Sequence, residues 1–272
     1  MASDNMEKAR ARRAEVLDAA SPRERGREKE LEALRWVYRW GWSTPSIVDS
    51  VASPNRRGVA RRLVKKGLLA EAETPSGPGI LGGARSVVWL TRDGLMLVVS
   101  RIEYDGDLLP TPAGYRGIKW AQLRHDIVAQ QIAADMLRTG EAIEVETPRE
   151  IEQELAQTDR RAAKVPDFIF SLRSGERIAY ELEWSGKSGR RLDQFILGCA
   201  ALINPHRVVD RVWIMSPSMA MVTRYQKAIT PGADIGIWSK GADGKWYRDN
   251  VQQAPDWLAE RIHPEHLDIT AP

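Results

Sequence analysis

From residue 28 onward, apolar side chains recur at spacings of three and four: Leu31, Leu34, Val37 and Tyr38, ending at Gly41. That period is helical and lays one apolar face along the segment. Trp36, Trp40 and Trp42 widen the stripe, which predicts a deeply buried helix. Ser43-Thr44-Pro45 is then a helix start, a hydroxyl cap with proline in the first turn. Ile47, Val48 and Val51 give this second helix its apolar side. Ser53-Pro54 repeats the start signal, predicting a third helix over 55–66 with Val59, Leu63 and Val64 on one side. Gly67 stops it. A strand begins at 68–70, a loop rich in glycine and proline spans 74–84, and a second strand covers 86–91. Ahead of all this, residues 1–27 alternate in sign (Glu7, Lys8, Arg10, Arg12, Arg13, Glu15) and read as a charged arm, a solvated helix followed by a loop.

Residues 103–119 carry Asp105, Gly106, Asp107, Pro110, Pro112, Gly114 and Gly117, a composition suited to a connection between domains. A helix follows over 120–137, with Leu123, Ile127, Ile132 and Met136 at helical spacings, then a short strand at 143–146 and a polar, exposed stretch at 150–161. Val165-Pro166-Asp167 opens a strand at 168–172, and Ser174-Gly175 is a hairpin turn leading to a returning strand at 177–184. A helix at 190–202, a buried strand at 208–215, a helix at 220–228 and a last strand at 234–238 on the sheet edge complete the pattern. The expected fold class is α/β (α+β): a helical unit with a hairpin over 28–102, a linker, an α/β domain with a mixed central sheet over 120–250, and a C-terminal tail over 251–272.

Composition changes this picture only by exclusion. The chain has 272 residues, 43% apolar and 28% charged, an ordinary globular mix. No run approaches the roughly 18 apolar residues of a membrane span, and the first residues have no apolar signal-peptide core. The expected location is therefore cytoplasmic, with no membrane partner. A single cysteine, Cys199, excludes an internal disulfide framework and a multi-cysteine zinc site. Four histidines, none in an H-x-H or H-E-x-x-H arrangement, speak against a histidine-built metal site.

Net charge is only +3, but the basic residues are clustered. The third helix carries Arg56, Arg57, Arg61, Arg62, Lys65 and Lys66 mostly on one side, and no acidic residue stands between Pro54 and Leu69. Three helices followed by a hairpin is the order of a winged helix, whose third helix enters the major groove. Lysine and arginine neutralise phosphates there, while carboxylates would repel them. These six residues are the candidate contacts to double-stranded DNA. A solvated basic face or a protein contact is the plainer reading of the same helix.

The informative chemistry lies between Lys164 and Arg191. On the strand at 177–184, Ile178, Tyr180 and Leu182 alternate with Glu181 and Glu183, so the two glutamates project to one side. Adjacent carboxylates repel unless a cation or base lies between them. Asp167, at the start of the neighbouring strand, can reach the same point, and three converging carboxylates form an oxygen site for Mg²⁺ or Mn²⁺. An exposed acidic strand face is the plainer alternative.

Pro166-Asp167, Glu181-Leu182-Glu183 and a nearby lysine resemble the PD-(D/E)xK nuclease pattern. The resemblance implies that Asp167 and Glu181 hold metal and that a lysine assists the attacking water. The lysine position holds Glu183, so the signature is E-x-E; Lys187, or Arg190 or Arg191 on the following helix, would take the lysine's place. Over 28–238 the chain also resembles the replication-relaxation family, which includes C-class plasmid mobilisation relaxases and joins a winged helix to a divergent nuclease-like domain. That resemblance implies Asp167, Glu181, Glu183, Lys187 and His125 as catalytic residues, with Asp167, Glu181 and Glu183 as metal ligands. It implies an origin-specific, metal-dependent DNA nicking protein of a plasmid or integrative element involved in conjugation. Other mobilisation or replication proteins and a second copy of the chain are its candidate protein partners. The alternative is a DNA-binding regulator or accessory factor with a degenerate nuclease fold; a host-defence or transposition nuclease ranks behind both. His125 as an interface residue, His263 and His266 as surface residues of the tail, and Tyr180 as core are the plain readings of those side chains.

Overall fold

The computed structural model describes residues 21–53, 57–74, 84–101, 109–112, 114–157 and 164–268. The chain divides into two compact units, Met1–Ile118 and Lys119–Pro272. It is a mixed α/β protein.

In the first unit, helix α1 (Pro22–Trp40) begins earlier than the apolar period suggests. Its start is set by a capping box: Ser21 Oγ accepts from the Glu24 amide at 3.2 Å, and the Ser21 amide donates to Glu24 Oε2 at 2.7 Å. Part of the expected arm is therefore helix; residues 1–20 lie outside the described residues. Gly41, at φ 87°, ends α1 in a left-handed conformation that glycine adopts without steric cost. Helix α2 (Pro45–Ala52) is capped by Thr44, whose Oγ1 accepts from the Ile47 amide.

Helix α3 (Val59–Lys65) is shorter than expected, and Arg56 lies outside the described residues. Its N-terminus is capped from a distance. Asp49 on α2 accepts from the amides of Gly58 and Ala60 at 2.7 and 2.8 Å, which satisfies two orphan donors and fixes α3 against α2. Strands β1 (Leu69–Glu73) and β2 (Ser86–Leu90) pair antiparallel from Leu69↔Leu90 to Glu73↔Ser86. Ser43 exchanges both backbone hydrogen bonds with Val88, tying the hairpin to the α1–α2 turn. A further helix, α4 (Arg92–Val99), follows the hairpin, where the sequence pattern assigned no element. Gly94 permits it: a Cβ there would lie 2.0 Å from the Leu68 carbonyl oxygen. Ala33, Leu34, Val37, Val48, Val59, Leu63, Val88 and Val98 form the core.

The stretch expected to be a linker is partly fastened to this unit. Tyr38 donates from its hydroxyl to the Leu109 carbonyl at 3.0 Å, and Tyr115 packs on Trp89 with ring centroids 5.3 Å apart.

The second unit is built on a five-stranded mixed sheet of order β3-β4-β5-β6-β9. Strands β3 (Glu144–Glu146), β4 (Phe168–Ser171) and β5 (Arg177–Leu182) are antiparallel neighbours, and β6 (Arg211–Ser216) and β9 (Ile262–His266) continue in parallel. Helices α5 (Leu123–Thr139), α6 (Pro148–Gln157), α7 (Arg190–Ile203), α8 (Met219–Ile229) and α9 (Asp256–Arg261) surround it. Ile169, Ala179, Val212, Ile214 and Ile262 form one core with Ile151, Phe195, Ile196, Tyr225 and Leu258 from the helices. Phe168 stacks on Tyr180 and Phe170 packs edge-on against Trp213.

Three expectations are corrected here. The polar stretch at 150–161 is helical as far as Gln157 and buries Ile151 and Leu155, two apolar positions one helical turn apart. Of the segment expected as a tail over 251–272, residues 251–268 are structured: they contribute α9 and the edge strand β9, where Pro264 is tolerated because an edge strand has one unpaired side, and residues 269–272 lie outside the described residues. The strand at 234–240, β7 (Asp234–Lys240), is not on the edge of the main sheet but pairs with β8 (Trp246–Gln253) in a separate hairpin. His263 is accordingly half-buried on β9, whereas His266 is exposed.

Replacing Asp49 by alanine leaves two α3 amides without their acceptor. Unfolding of the first unit is expected to become easier by about 1–2 kcal/mol, read as a lower denaturant midpoint, with Asp49→Asn recovering much of the loss.

Candidate active site

Asp167 stands one step before β4. Its amide donates to the Tyr180 carbonyl at 3.1 Å, which ties Asp167 to β5 just beyond the last β4–β5 pair, Phe168↔Tyr180. Asp167 Oδ2 accepts from the Leu182 amide at 2.7 Å and lies 3.3 Å from His125 Nε2. His125, on the first turn of α5, also donates from Nε2 to the Leu182 carbonyl at 2.9 Å, while its Nδ1 meets Asp126 Oδ1 at 3.1 Å. Both ring nitrogens thus face acceptors. Burial works against charge on His125, but hydrogen bonds and charge from Asp126 and Asp167 outweigh it and push its pKa up to about 10.

Glu181 and Glu183 are only 2% and 6% exposed, because β5 lies between β4 and β6 and is covered on both faces. The expected pairing of an apolar face with an open acidic face therefore does not occur: every residue from Ile178 to Leu182 is buried. Burial raises the Glu181 pKa to about 7, with the Lys164 ammonium opposing the rise. Lys164 Nζ forms an ion pair with Glu181 Oε1. Lys164 reaches it beneath α7, past Gly198, where a Cβ would stand 3.2 Å from the lysine Cβ. Its ammonium lies 5.2 Å from the Phe195 ring centre and is held charged, against burial, by Glu181 and Asp167.

Glu183 belongs to a neighbouring arrangement. Its amide donates to the Met215 carbonyl, Oε1 pairs with Lys187 Nζ, and Oε2 accepts from the Tyr225 hydroxyl at 3.2 Å. Lys187 also sits 4.3 Å from the Phe195 ring centre. Cys199 lies fully buried nearby, its thiol pKa raised by burial and by the charge of Glu181. Tyr180 is 3% exposed and stacked on Phe168, with its pKa raised by burial, so it is a core residue.

The expectation that Asp167, Glu181 and Glu183 share one cation is thus not met. Each carboxylate has its own partner: His125 for Asp167, Lys164 for Glu181, Lys187 for Glu183. Among the described residues no group of three or more histidines, cysteines or carboxylates is placed to hold a metal ion. The physical reason is burial, since a carboxylate withdrawn from water requires a counter-charge of its own. Asp167 and Glu181 still suit a smaller requirement: Mg²⁺ is commonly held by one or two carboxylates together with water and phosphate oxygens. A cationic ammonium already rests on Glu181. Glu183, held by Lys187 and Tyr225, does not fit that role.

The residue that sequence reasoning missed is Lys164. It stands three positions ahead of Asp167, outside any E-x-K spacing, and only the path of the chain past Gly198 brings it to Glu181.

The basic face lies on the first unit. Arg57, Arg61, Arg62, Lys65 and Lys66 are all exposed. Glu30 on α1 takes up Lys66 at 2.7 Å and approaches Arg62 at 3.9 Å. Arg57, Arg61 and Lys65 make no ion pair with another described residue.

No family model matches this chain, and no curated protein or solved structure matches it. No described helix is long and apolar enough to cross a membrane.

His125 is expected to keep both ring protons well above pH 6.5 and to release one only toward pH 10, a titration that its ring resonances report by NMR. Because the folded pKa exceeds the ordinary one, the stabilisation is complete below pH 6.5 and is lost as pH rises through about 10. Over that interval a His125→Gln variant loses less stability than the parent chain, by on the order of a few kcal/mol.

Proposed function

We propose that this chain is a DNA-nicking protein: its first unit grips double-stranded DNA at an origin-like site, and its second cleaves one strand in a metal-dependent reaction. The observation that carries this reading is the meeting of Asp167, Glu181 and Lys164, where the segment entering β4 brings an aspartate and a lysine to a glutamate on β5. That is the residue set of a PD-(D/E)xK site, with the lysine arriving from ahead of the aspartate instead of from position 183. The helix–strand order of the second unit is compatible with the same reading. Three helices followed by an antiparallel hairpin support a winged helix in the first unit, with α3 as the element that enters the major groove.

Asp167 and Glu181 are the residues that would hold Mg²⁺ or Mn²⁺, and such an ion polarises a phosphate and lowers the pKa of a bound water. The chain's own residues prepare the site. The contacts of Asp167 to Leu182 and His125 both fall on Oδ2, which fixes the carboxylate and leaves Oδ1 for the substrate side. His125 is a positioning group, since it spans Asp167 and the Leu182 carbonyl and couples α5 to the end of β5. Lys164 holds a proton at Nζ next to Glu181 and can offer positive charge to a phosphate oxygen. Lys187 and Glu183 neutralise each other and support the loop between β5 and α7.

A second reading, a DNA-binding regulator or accessory mobilisation factor, is favoured by the individual pairing of all three carboxylates. Supercoiled origin-bearing plasmid incubated with Mg²⁺ or Mn²⁺ separates the two. Open circles are expected, and Asp167→Ala, Glu181→Ala and Lys164→Met are each expected to reduce nicking to background while duplex binding persists. Undiminished nicking by all three variants overturns the assignment, and specific binding without nicking by the parent chain supports the regulator.

For the first unit, the double substitution Arg61→Ala, Lys65→Ala is expected to weaken duplex binding at all sequences. It should reduce the slope of log affinity against log salt by about 2, one per lost phosphate contact. An unchanged slope would remove α3 from the interface.

A further inference from the structure

The hairpin β7–β8 has no part in the site above, and its outer strand is unusual. Every residue of β8 is exposed. Of the eight exposed large hydrophobic side chains among the described residues, three lie on this one strand: Trp246 at 40%, Tyr247 at 50% and Val251 at 39% exposure. A gathering of large apolar side chains on one exposed strand, unlike singly scattered ones, is a candidate contact surface.

The register sorts the side chains. Lys240 pairs with Trp246 and Trp238 with Arg248, so these four share one face of the hairpin, while Tyr247 takes the other. Arg190, from the start of α7, lays its guanidinium 4.4 Å from the Trp246 ring centre. Trp238 donates from Nε1 to Asp193 Oδ2 at 2.8 Å. Gly236 makes this packing fit, because a Cβ there would lie 2.6 Å from Asp193 Oδ2 and from Trp238 Nε1, and 2.7 Å from Arg248 Nε. The result is a ribbon face of two indoles and three cations; of the nearby acids, Asp193 is already engaged, and Asp249 follows Arg248 at the register irregularity of the hairpin. The acidic Asp243 lies at the turn and binds the Tyr247 hydroxyl.

We propose that this face binds single-stranded nucleic acid, with a base on Trp246 and the backbone along Arg190, Lys240 and Arg248. Indole rings offer stacking planes to any unpaired base, and interleaved cations follow the phosphates. Tryptophan and arginine also suit a protein interface, but the excess of positive charge on this face, with Lys240 beside both arginines, favours a polyanionic ligand. A duplex fits less well because its bases are already stacked. The inference goes beyond the nicking reading and does not depend on it.

The test uses the full chain and a fluorescently labelled oligothymidylate, followed by anisotropy, with oligouridylate as a second arm. Trp246→Ala is expected to weaken oligothymidylate binding about tenfold. Arg248→Ala should weaken it and flatten its salt dependence, and Trp246→Phe should retain most of the affinity. Tyr247→Ala, on the opposite face, is expected to leave binding unchanged. Equal loss for Tyr247→Ala and Trp246→Ala, or no loss for Trp246→Ala, overturns the proposal. A changed oligomeric mass for Trp246→Ala with unaltered oligonucleotide affinity also overturns it, and assigns the face to a protein contact. Loss of oligouridylate binding in parallel supports recognition through the chemistry common to both strands, and loss confined to oligothymidylate supports a DNA ligand. Duplex affinity that stays constant in Trp246→Ala separates this surface from the basic face of α3.

Discussion

Two glutamates at the end of the central strand impose the main constraint on the second unit. Glu181 on β5 and Glu183 one step beyond it are withdrawn from water, and a buried carboxylate is tolerated only with a compensating charge or a proton. The surrounding elements supply this compensation. Lys164 comes in ahead of β4, Lys187 from the loop after β5 and a tyrosine hydroxyl from α8, while Asp167 at the strand end is held by the Leu182 amide and His125. The glycine at 198 on α7 belongs to the same requirement, because a larger residue would press on the path of Lys164. A network of this kind costs stability compared with a hydrophobic strand of the same shape, and its retention on a central strand is a reason to look there for chemistry.

The same constraint separates two uses of acid in this unit. Glu181 faces Asp167 and a lysine and supplies the proposed chemistry; Glu183 faces a lysine and a tyrosine and behaves as part of the framework. Burial acts on both, but their partners differ. The first unit follows another logic, in which positive charge is kept at the surface. Glu30 draws off Lys66 and approaches Arg62, so the strongest exposed charge of α3 remains on Arg57, Arg61 and Lys65.

Local pattern was most legible where the period and the cap agreed. The helices after Thr44 and along 123–139 follow from apolar spacing and start signals, and the 168–182 hairpin follows from Ser174-Gly175 and the alternation around it. Legibility failed where a distant partner decided the outcome. Helix α3 begins where Asp49 can cap it, which no residue within α3 announces. Strand β9 has no clear alternation and contains a proline, so it reads as tail until β6 is there to pair with it. Helix α4 requires the close approach of Gly94 to Leu68, a contact between segments far apart in sequence.

The amino-acid sequence by itself determined the mixed α/β class, the nearness of Asp167, Glu181 and Glu183 to the ends of adjoining strands, and the basic character of α3, because these depend on short periods and on residue type. Tertiary structure decided which carboxylate meets which cation. It made β5 a central strand instead of a half-open one, separated Glu183 from the proposed site, and brought Lys164 to Glu181. The physical reason is that a side chain's exposure and partners are set by neighbours in space, and no local periodicity encodes how far water is excluded from a strand.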